Sequence, residues 1–125
     1  MQVDRTSKLI AIVDDDEAIQ DSLRDLMEAA GLVARSFGSA EEFLDSDLHA
    51  RAACLIVDVR MPNMSGLQLQ VRLKEEECNI PIIFITAHAD ARMRIRAMRE
   101  GAVEFLAKPF DHQLLLKRVR AALDM

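Results

Sequence analysis

An apolar run, Cys54-Leu55-Ile56-Val57, ends in a lone carboxylate, Asp58, and Pro62 follows four residues on. Bounded by a turn signal, the run reads as a buried strand, although a buried helical segment gives the same pattern. An acid is poorly placed in a core, where an unpaired charge is costly. It is well placed in a crevice at the carboxyl end of a parallel sheet, where open α/β folds keep their ligands.

The same arrangement recurs along the chain. Leu9-Ile10-Ala11-Ile12-Val13 runs into Asp14-Asp15-Asp16-Glu17, Ile80-Pro81-Ile82-Ile83-Phe84-Ile85 into Thr86-Ala87-His88, and Ala102-Val103-Glu104-Phe105-Leu106-Ala107 into Lys108-Pro109-Phe110. A more mixed segment, Leu32 to Phe37, lacks a reactive end and reads as an edge strand. Helical patterns lie between. Ile19, Leu23, Leu26, Met27 and Ala30 have helical spacing, with Gly31 as the stop. Ser39 and Glu42 form a capping box for a short helix carrying Phe43 and Leu44, followed by a polar segment. Leu67, Leu69, Val71 and Leu73 mark a third helix with less regular spacing. Asp90 caps a fourth, with Ile95 and Met98 on its apolar side and Gly101 at its end. Asp111 caps a fifth, with Leu115, Val119 and Ala122 on one face.

Alternating β and α elements imply a parallel sheet covered by helices on both faces, with right-handed crossovers. The expected fold is a doubly wound, flavodoxin-like (βα)5 α/β sandwich with strand order 2-1-3-4-5. In that order the crevice opens between strands one and three. Asp14 and Asp15 then lie beside Asp58, with Thr86 and Lys108 on the other flank. Like charges about 4 Å apart repel by roughly 4 kcal/mol at an effective dielectric near 20. A hard divalent cation offsets that repulsion, and Mg²⁺ takes carboxylates, waters and phosphate oxygens. Lys108 adds a further positive charge. Acids, a metal, a hydroxyl and an amine suit phosphoryl transfer to a carboxylate.

These residues resemble the receiver domain of two-component response regulators, the CheY-like group, and most of all the FixJ-type transcriptional regulators. The resemblance rests on Asp58-Val59-Arg60-Met61-Pro62-Asn63-Met64-Ser65-Gly66 and on Gly101-Ala102-Val103-Glu104-Phe105-Leu106-Ala107-Lys108-Pro109-Phe110, and covers residues 9 to 124. It implies that Asp58 is the phosphoacceptor, served by a sensor histidine kinase. It implies that Asp15 and Asp58 ligate Mg²⁺ (or Mn²⁺), with Asp14 acting through water and Arg60 through its backbone carbonyl. Thr86 and Lys108 would hold the phosphoryl oxygens. Thr86 and Phe105 would form the switch, with Phe105 turning inward as Thr86 moves, and the Lys108-Pro109 bond would be cis. Arg60 and His88 are candidates for tuning. The same resemblance implies a homodimer on phosphorylation, through the fourth helix and fifth strand. It also implies self-catalysed phosphotransfer and dephosphorylation without turnover of a free substrate.

The 125 residues fit one domain, with residues 1 to 8 as a tail and 9 to 125 as the receiver. The expectation is a receiver excised from a longer transcription regulator whose DNA-binding output domain is absent. Sixteen basic against twenty-one acidic residues do not make a nucleic-acid-binding surface. No apolar run approaches the roughly 18 to 20 residues of a membrane span, and Met1 to Lys8 carry no signal-peptide pattern, so a cytoplasmic location is expected. Cys54 and Cys78 form no C-x-x-C pair, and His49, His88 and His112 are scattered.

Blander readings exist for most of these features. The acids at 14 to 17 suit a solvated helix start, and Asp16 is the expected cap. Arg92, Arg96 and Arg99 form a basic stripe that is either a solvated face or a docking contact. Asp14-Asp15-Asp16 also matches the D-x-D element of haloacid-dehalogenase-type phosphatases. Ala18 then stands where that motif has Thr or Val, and Asp58 has no role. A degenerate receiver that only binds is disfavoured by the complete set of five site residues.

Overall fold

The computed structural model describes residues 8–88 and 90–124. All of the expected tail except Lys8 lies outside the described residues, as does Met125. Lys8 is tied to the body of the domain, its Nζ donating to the Leu123 carbonyl at 2.9 Å.

Five strands, β1 (Ile10–Val13), β2 (Ala34–Phe37), β3 (Cys54–Asp58), β4 (Ile82–Thr86) and β5 (Glu104–Ala107), alternate with α1 (Glu17–Ala29), α2 (Ala40–Asp45), α3 (Gly66–Glu75), α4 (Ala91–Arg99) and α5 (His112–Ala122). The sheet is parallel in the order β2-β1-β3-β4-β5, as the alternation of elements predicts. The polar segment after α2 is a short 3₁₀ turn, Asp47–Ala50.

Alternate residues of each central strand feed two separate cores, because successive side chains of a strand point to opposite faces. Ala11, Val13, Leu55, Val57 and Phe84 pack with Phe43 of α2, Leu69 and Leu73 of α3, and Ala97 of α4. Ile10, Ile12, Ile56, Ile83 and Ile85 pack with Leu23 and Met27 of α1 and Leu115 and Val119 of α5. The sheet is thus buried on both sides, which is why its strands read as continuous apolar runs.

The expected caps form at Asp16, Ser39, Asp90 and Asp111, each accepting from a backbone N–H in the first turn. Gly31 and Gly101 follow α1 and α4 in the left-handed region, at φ 81° and 104°, where a glycine avoids the Cβ penalty. The Ser39 capping box is only half made. Ser39 accepts from Glu42, but Glu42 reaches one residue further and accepts from the Gly38 N–H at 3.1 Å. A complete capping box instead starts α3, between Ser65 and Gln68. That box supports the helix whose apolar spacing is least regular.

The expected apolar side of α4 is not the buried one. Ile95 and Met98 are exposed at 56% and 37%, while Ala97 is fully buried and Met93 half-buried. A small alanine lets the helix backbone approach the sheet closely, and the longer side chains are left outside.

Candidate functional site

The register of the strands brings the site together. Val13 of β1 pairs with Val57 of β3. Asp14, directly after β1, and Asp58, the last residue of β3, therefore lie at the same level of the sheet edge. Asp58 in turn pairs with Ile85, and Thr86 with Ala107. Thr86 is the last residue of β4, and Lys108 directly follows β5.

Asp14 and Thr86 are completely buried, and Asp58 is 7% exposed. Asp14 Oδ1 accepts from the Asp16 N–H at 2.9 Å, so the turn into α1 holds this carboxylate. Gln20, one turn into α1, donates from Nε2 to the Asp14 carbonyl at 2.7 Å. Asp58 Oδ1 accepts from the Arg60 N–H at 3.1 Å. The Lys108 ammonium spans the two acids, 3.0 Å from Asp14 Oδ2 and 3.0 Å from Asp58 Oδ2. The Lys108-Pro109 peptide that turns the chain beyond this lysine is cis. The Thr86 hydroxyl accepts from the His88 N–H at 3.3 Å.

Burial pushes the Asp14 carboxyl above its usual range, and the nearby Asp58 charge adds to this. The Asp16 N–H and Lys108 oppose the rise without cancelling it. For Lys108, burial alone would lower the ammonium, but hydrogen bonds to Asp14 and Asp58, together with their charge, outweigh burial and raise it. These effects favour a charged Lys108 and make ionised Asp14 costly.

Ligand oxygens of Asp14, Asp15 and Asp58 all lie within 4.8 Å of one another. Three hard oxygen donors, two of them buried and the Asp15 donor on the solvent side, fit a small divalent cation such as Mg²⁺ or Mn²⁺. Lone acidic clusters are common on protein surfaces; the burial of Asp14 and Asp58 and the shared lysine set this one apart.

Several parts of the site were not legible in the sequence. Gln20 is six residues from its partner, and nothing in a helical pattern marks it. Arg60 and His88 are exposed, and the contacts they make to the site come from their backbone N–H groups. Gly66 reads as a loop glycine, yet its N–H donates to the Val59 carbonyl at 2.8 Å. A Cβ at Gly66 would overlap the Asp58 carbonyl oxygen and lie 3.1 Å from the Val59 Cα. Phe105 is buried at 2%, its ring 6.1 Å from that of Phe84.

The chain resembles known proteins throughout its length. It is 47% identical over 122 residues to the response regulator protein TodT of Pseudomonas putida, an alignment covering 98% of this chain and 53% of TodT. It is 44% identical over 127 residues to the transcriptional regulatory protein TdiR of Thauera aromatica, covering all of this chain and 56% of TdiR. The chain thus spans about half the length of the curated relatives it matches. Among solved structures, the response regulator StyR superposes with a TM-score of 0.86 at 43% identity, over 93% of this chain and 59% of that one. The solved structure of FixJ-N superposes with a TM-score of 0.82 at 36% identity, over 93% of both chains. Residues 10–120 match the response regulator receiver domain family, and with this fold and these relatives the chain belongs to that family.

Proposed function

We propose that Asp58 is a phosphoacceptor that takes its phosphoryl group from a phosphohistidine of a sensor histidine kinase. The observation that carries this reading is the position of Asp58, within 4.8 Å of the ligand oxygens of Asp14 and Asp15 and 3.0 Å from the Lys108 ammonium. An Asp58 carboxylate oxygen attacks phosphorus in line, an O–P bond forms, and the P–N bond to histidine breaks with its electron pair on nitrogen. Lys108 is already on Asp58 Oδ2 and can follow the charge onto the phosphoryl oxygens. The Thr86 hydroxyl, held by the His88 N–H before transfer, is the second group available to those oxygens. Asp15 and Asp58, the Arg60 carbonyl and, through water, Asp14 would hold Mg²⁺ or Mn²⁺. When bound, the ion neutralises charge among the acids and on the phosphoryl group. The event is a switch rather than the turnover of a free substrate, with dephosphorylation resetting it.

Switching needs contacts that differ between two states. Thr86 and Phe105 are the proposed switch pair; Phe105 is buried, its ring 6.1 Å from that of Phe84. The loop after β4 follows Thr86, and α4 moves with it. The surface of α4, β5 and α5 is the proposed readout. Ile95, Met98 and Val103 are exposed on or beside α4 and β5 and suit a phosphorylation-dependent homodimer. TdiR is a transcriptional regulatory protein about twice as long as the aligned region. We therefore read this chain as the cytoplasmic receiver of such a regulator, with DNA contacted by residues outside it.

Treatment with acetyl phosphate and Mg²⁺ should add one phosphoryl group by mass, in Asp16→Ala but not in Asp58→Ala. Steady hydrolysis of many phosphomonoesters that depends on Asp14 would instead support the phosphatase reading and sink this one. Light scattering with and without beryllofluoride tests the dimer; a mass that stays monomeric counts against it.

A further inference from the structure

Helix α4 is weakly anchored by apolar contact. Of its nine residues, one alanine, Ala97, is fully buried. Half-buried Met93 also packs against the core, and polar tethers add to this small apolar contact. At its carboxyl end, Gln70 Nε2 of α3 donates to the Ala97 carbonyl at 3.1 Å, and Lys74 pairs with Glu100 at 2.8 Å. Both bonds tie α4 to α3. Among the described residues, a single side-chain hydrogen bond ties α4 to β5: Arg94 Nη1 donates to the Phe105 carbonyl at 3.0 Å.

That carbonyl stands on a special strand. β5 pairs only with β4 and is an edge of the sheet. Edge strands carry backbone groups that no neighbouring strand satisfies. At Phe105 both groups are taken by charged side chains. The N–H donates to Glu104 Oε1 at 3.1 Å, the other Glu104 oxygen accepts from Arg118 Nε of α5 at 3.1 Å, and the carbonyl accepts from Arg94. α4 thus meets the Phe105 main chain directly and α5 reaches it through the Glu104 carboxylate, and Phe105 carries the proposed switch aromatic. A bond from a charged donor to a partly buried carbonyl is among the stronger tethers available.

We propose that Arg94 is a positioning residue for the switch, a latch whose bond to the Phe105 carbonyl holds α4 against the β5 edge. This inference rests on the phosphoacceptor reading of Asp58. Displacement of α4 on phosphorylation, part of the proposed switch, requires the Arg94 bond to the Phe105 carbonyl to open. Arg94 does not touch the reacting atoms. It acts on the balance between two states, so removing it favours the state that binds the phosphoryl group more tightly.

The test is titration calorimetry of beryllofluoride, in Mg²⁺, into the whole chain. Arg94→Met keeps the stem and removes the donors. Half-saturation is expected at about fivefold lower beryllofluoride than in the unsubstituted protein, equivalent to about 1 kcal/mol, an ordinary net hydrogen-bond contribution. Arg92→Met removes the same charge from an exposed position of the same helix and is expected to leave half-saturation unchanged. A purely structural role for Arg94 would lower thermal stability without moving half-saturation, and that result overturns the latch. An equal shift in Arg92→Met overturns it too, because charge alone would then be the cause. Arg94 is exposed, so the variant should fold; if it does not, Arg94→Ala, which also removes the donors, is read in the same way. No binding by the unsubstituted protein, or binding that survives Asp58→Asn, overturns the phosphoacceptor reading and the latch with it. Normal binding that Asp58→Asn abolishes, with Arg94→Met unchanged, overturns the latch alone.

Discussion

Gly66 lies directly against the main chain of Asp58. The helix that follows the β3 loop begins so close to the strand end that a Cβ at position 66 would overlap the Asp58 carbonyl oxygen. The obstacle is backbone, which cannot rotate away as a side chain does. Gly66→Ala should therefore shift α3 or the end of β3 and cost about 1 to 3 kcal/mol, as overpacking does. Urea unfolding measures that cost. Because the clash falls on the Asp58 main chain, beryllofluoride binding should fall as well; a variant with unchanged unfolding and binding would refute this account of the glycine.

Lys108 is the only cation that the structure puts on the two buried acids, among the described residues. Lys108→Met leaves Asp14 and Asp58 facing each other without it. The expected loss is about 3 kcal/mol, the low end for breaking a buried pair, since the lysine side chain keeps 14% exposure. The pH dependence has a defined sign. The folded Lys108 value is raised, so its contribution is complete below the unfolded lysine value and is lost only as pH rises through the raised one. Denaturation of both proteins across the alkaline range should show the gap closing there and not near neutrality.

Asp14→Asn should raise thermal stability in divalent-free buffer while weakening Mg²⁺ binding. The folded Asp14 carboxyl lies above its ordinary value, chiefly through burial. Its charged form thus costs stability at neutral pH, and that cost disappears as pH falls through the raised value. The gain from Asn should accordingly be largest near neutrality and shrink in acid. Melting curves in chelator at several pH values check this, and equal melting at neutral pH would refute it.

Glu77 follows α3 in the left-handed region at φ 59°, while the Cys78 N–H closes the helix end on the Leu73 carbonyl at 2.8 Å. A non-glycine residue there carries roughly 1 kcal/mol of steric cost. Glu77→Gly relieves it, less what glycine gives back through unfolded-state freedom. A modest rise in melting temperature is the expected outcome, with the fold unchanged.

Neither cysteine should behave as a reactive thiol. Burial pushes Cys54 up to about 12. Burial, with Glu76 beside it, also raises Cys78, whose Sγ donates to the His49 carbonyl at 3.0 Å. Thiol reagents at neutral pH should label the native chain slowly and the denatured chain quickly.

Glu42 and α4 mark the limits of local pattern. The Ser39 cap was readable because a cap is a contact over three residues. The choice between the Ser39 and Gly38 N–H for Glu42 depends on where the chain enters α2 from β2. Ile95 and Met98 have helical spacing, but which stripe of a short helix is covered depends on how close its backbone comes to the sheet. Ala97 sets that distance, with Met93 beside it against the core, and Ile95 and Met98 are left exposed.

The sequence by itself determined the strands, their order and the chemical types gathered at one sheet edge. Apolar runs long enough for buried strands, each ended by an acid, a hydroxyl or an amine, leave few parallel arrangements open, and hydrophobic burial enforces the register. Only the tertiary structure decided what those groups bond to. Lys108 reaches across 94 residues to Asp14 and 50 to Asp58, Gly66 abuts the Asp58 main chain, and Arg94 closes on the Phe105 carbonyl. Such contacts depend on distances between separate elements, and the packing of the two cores sets those distances.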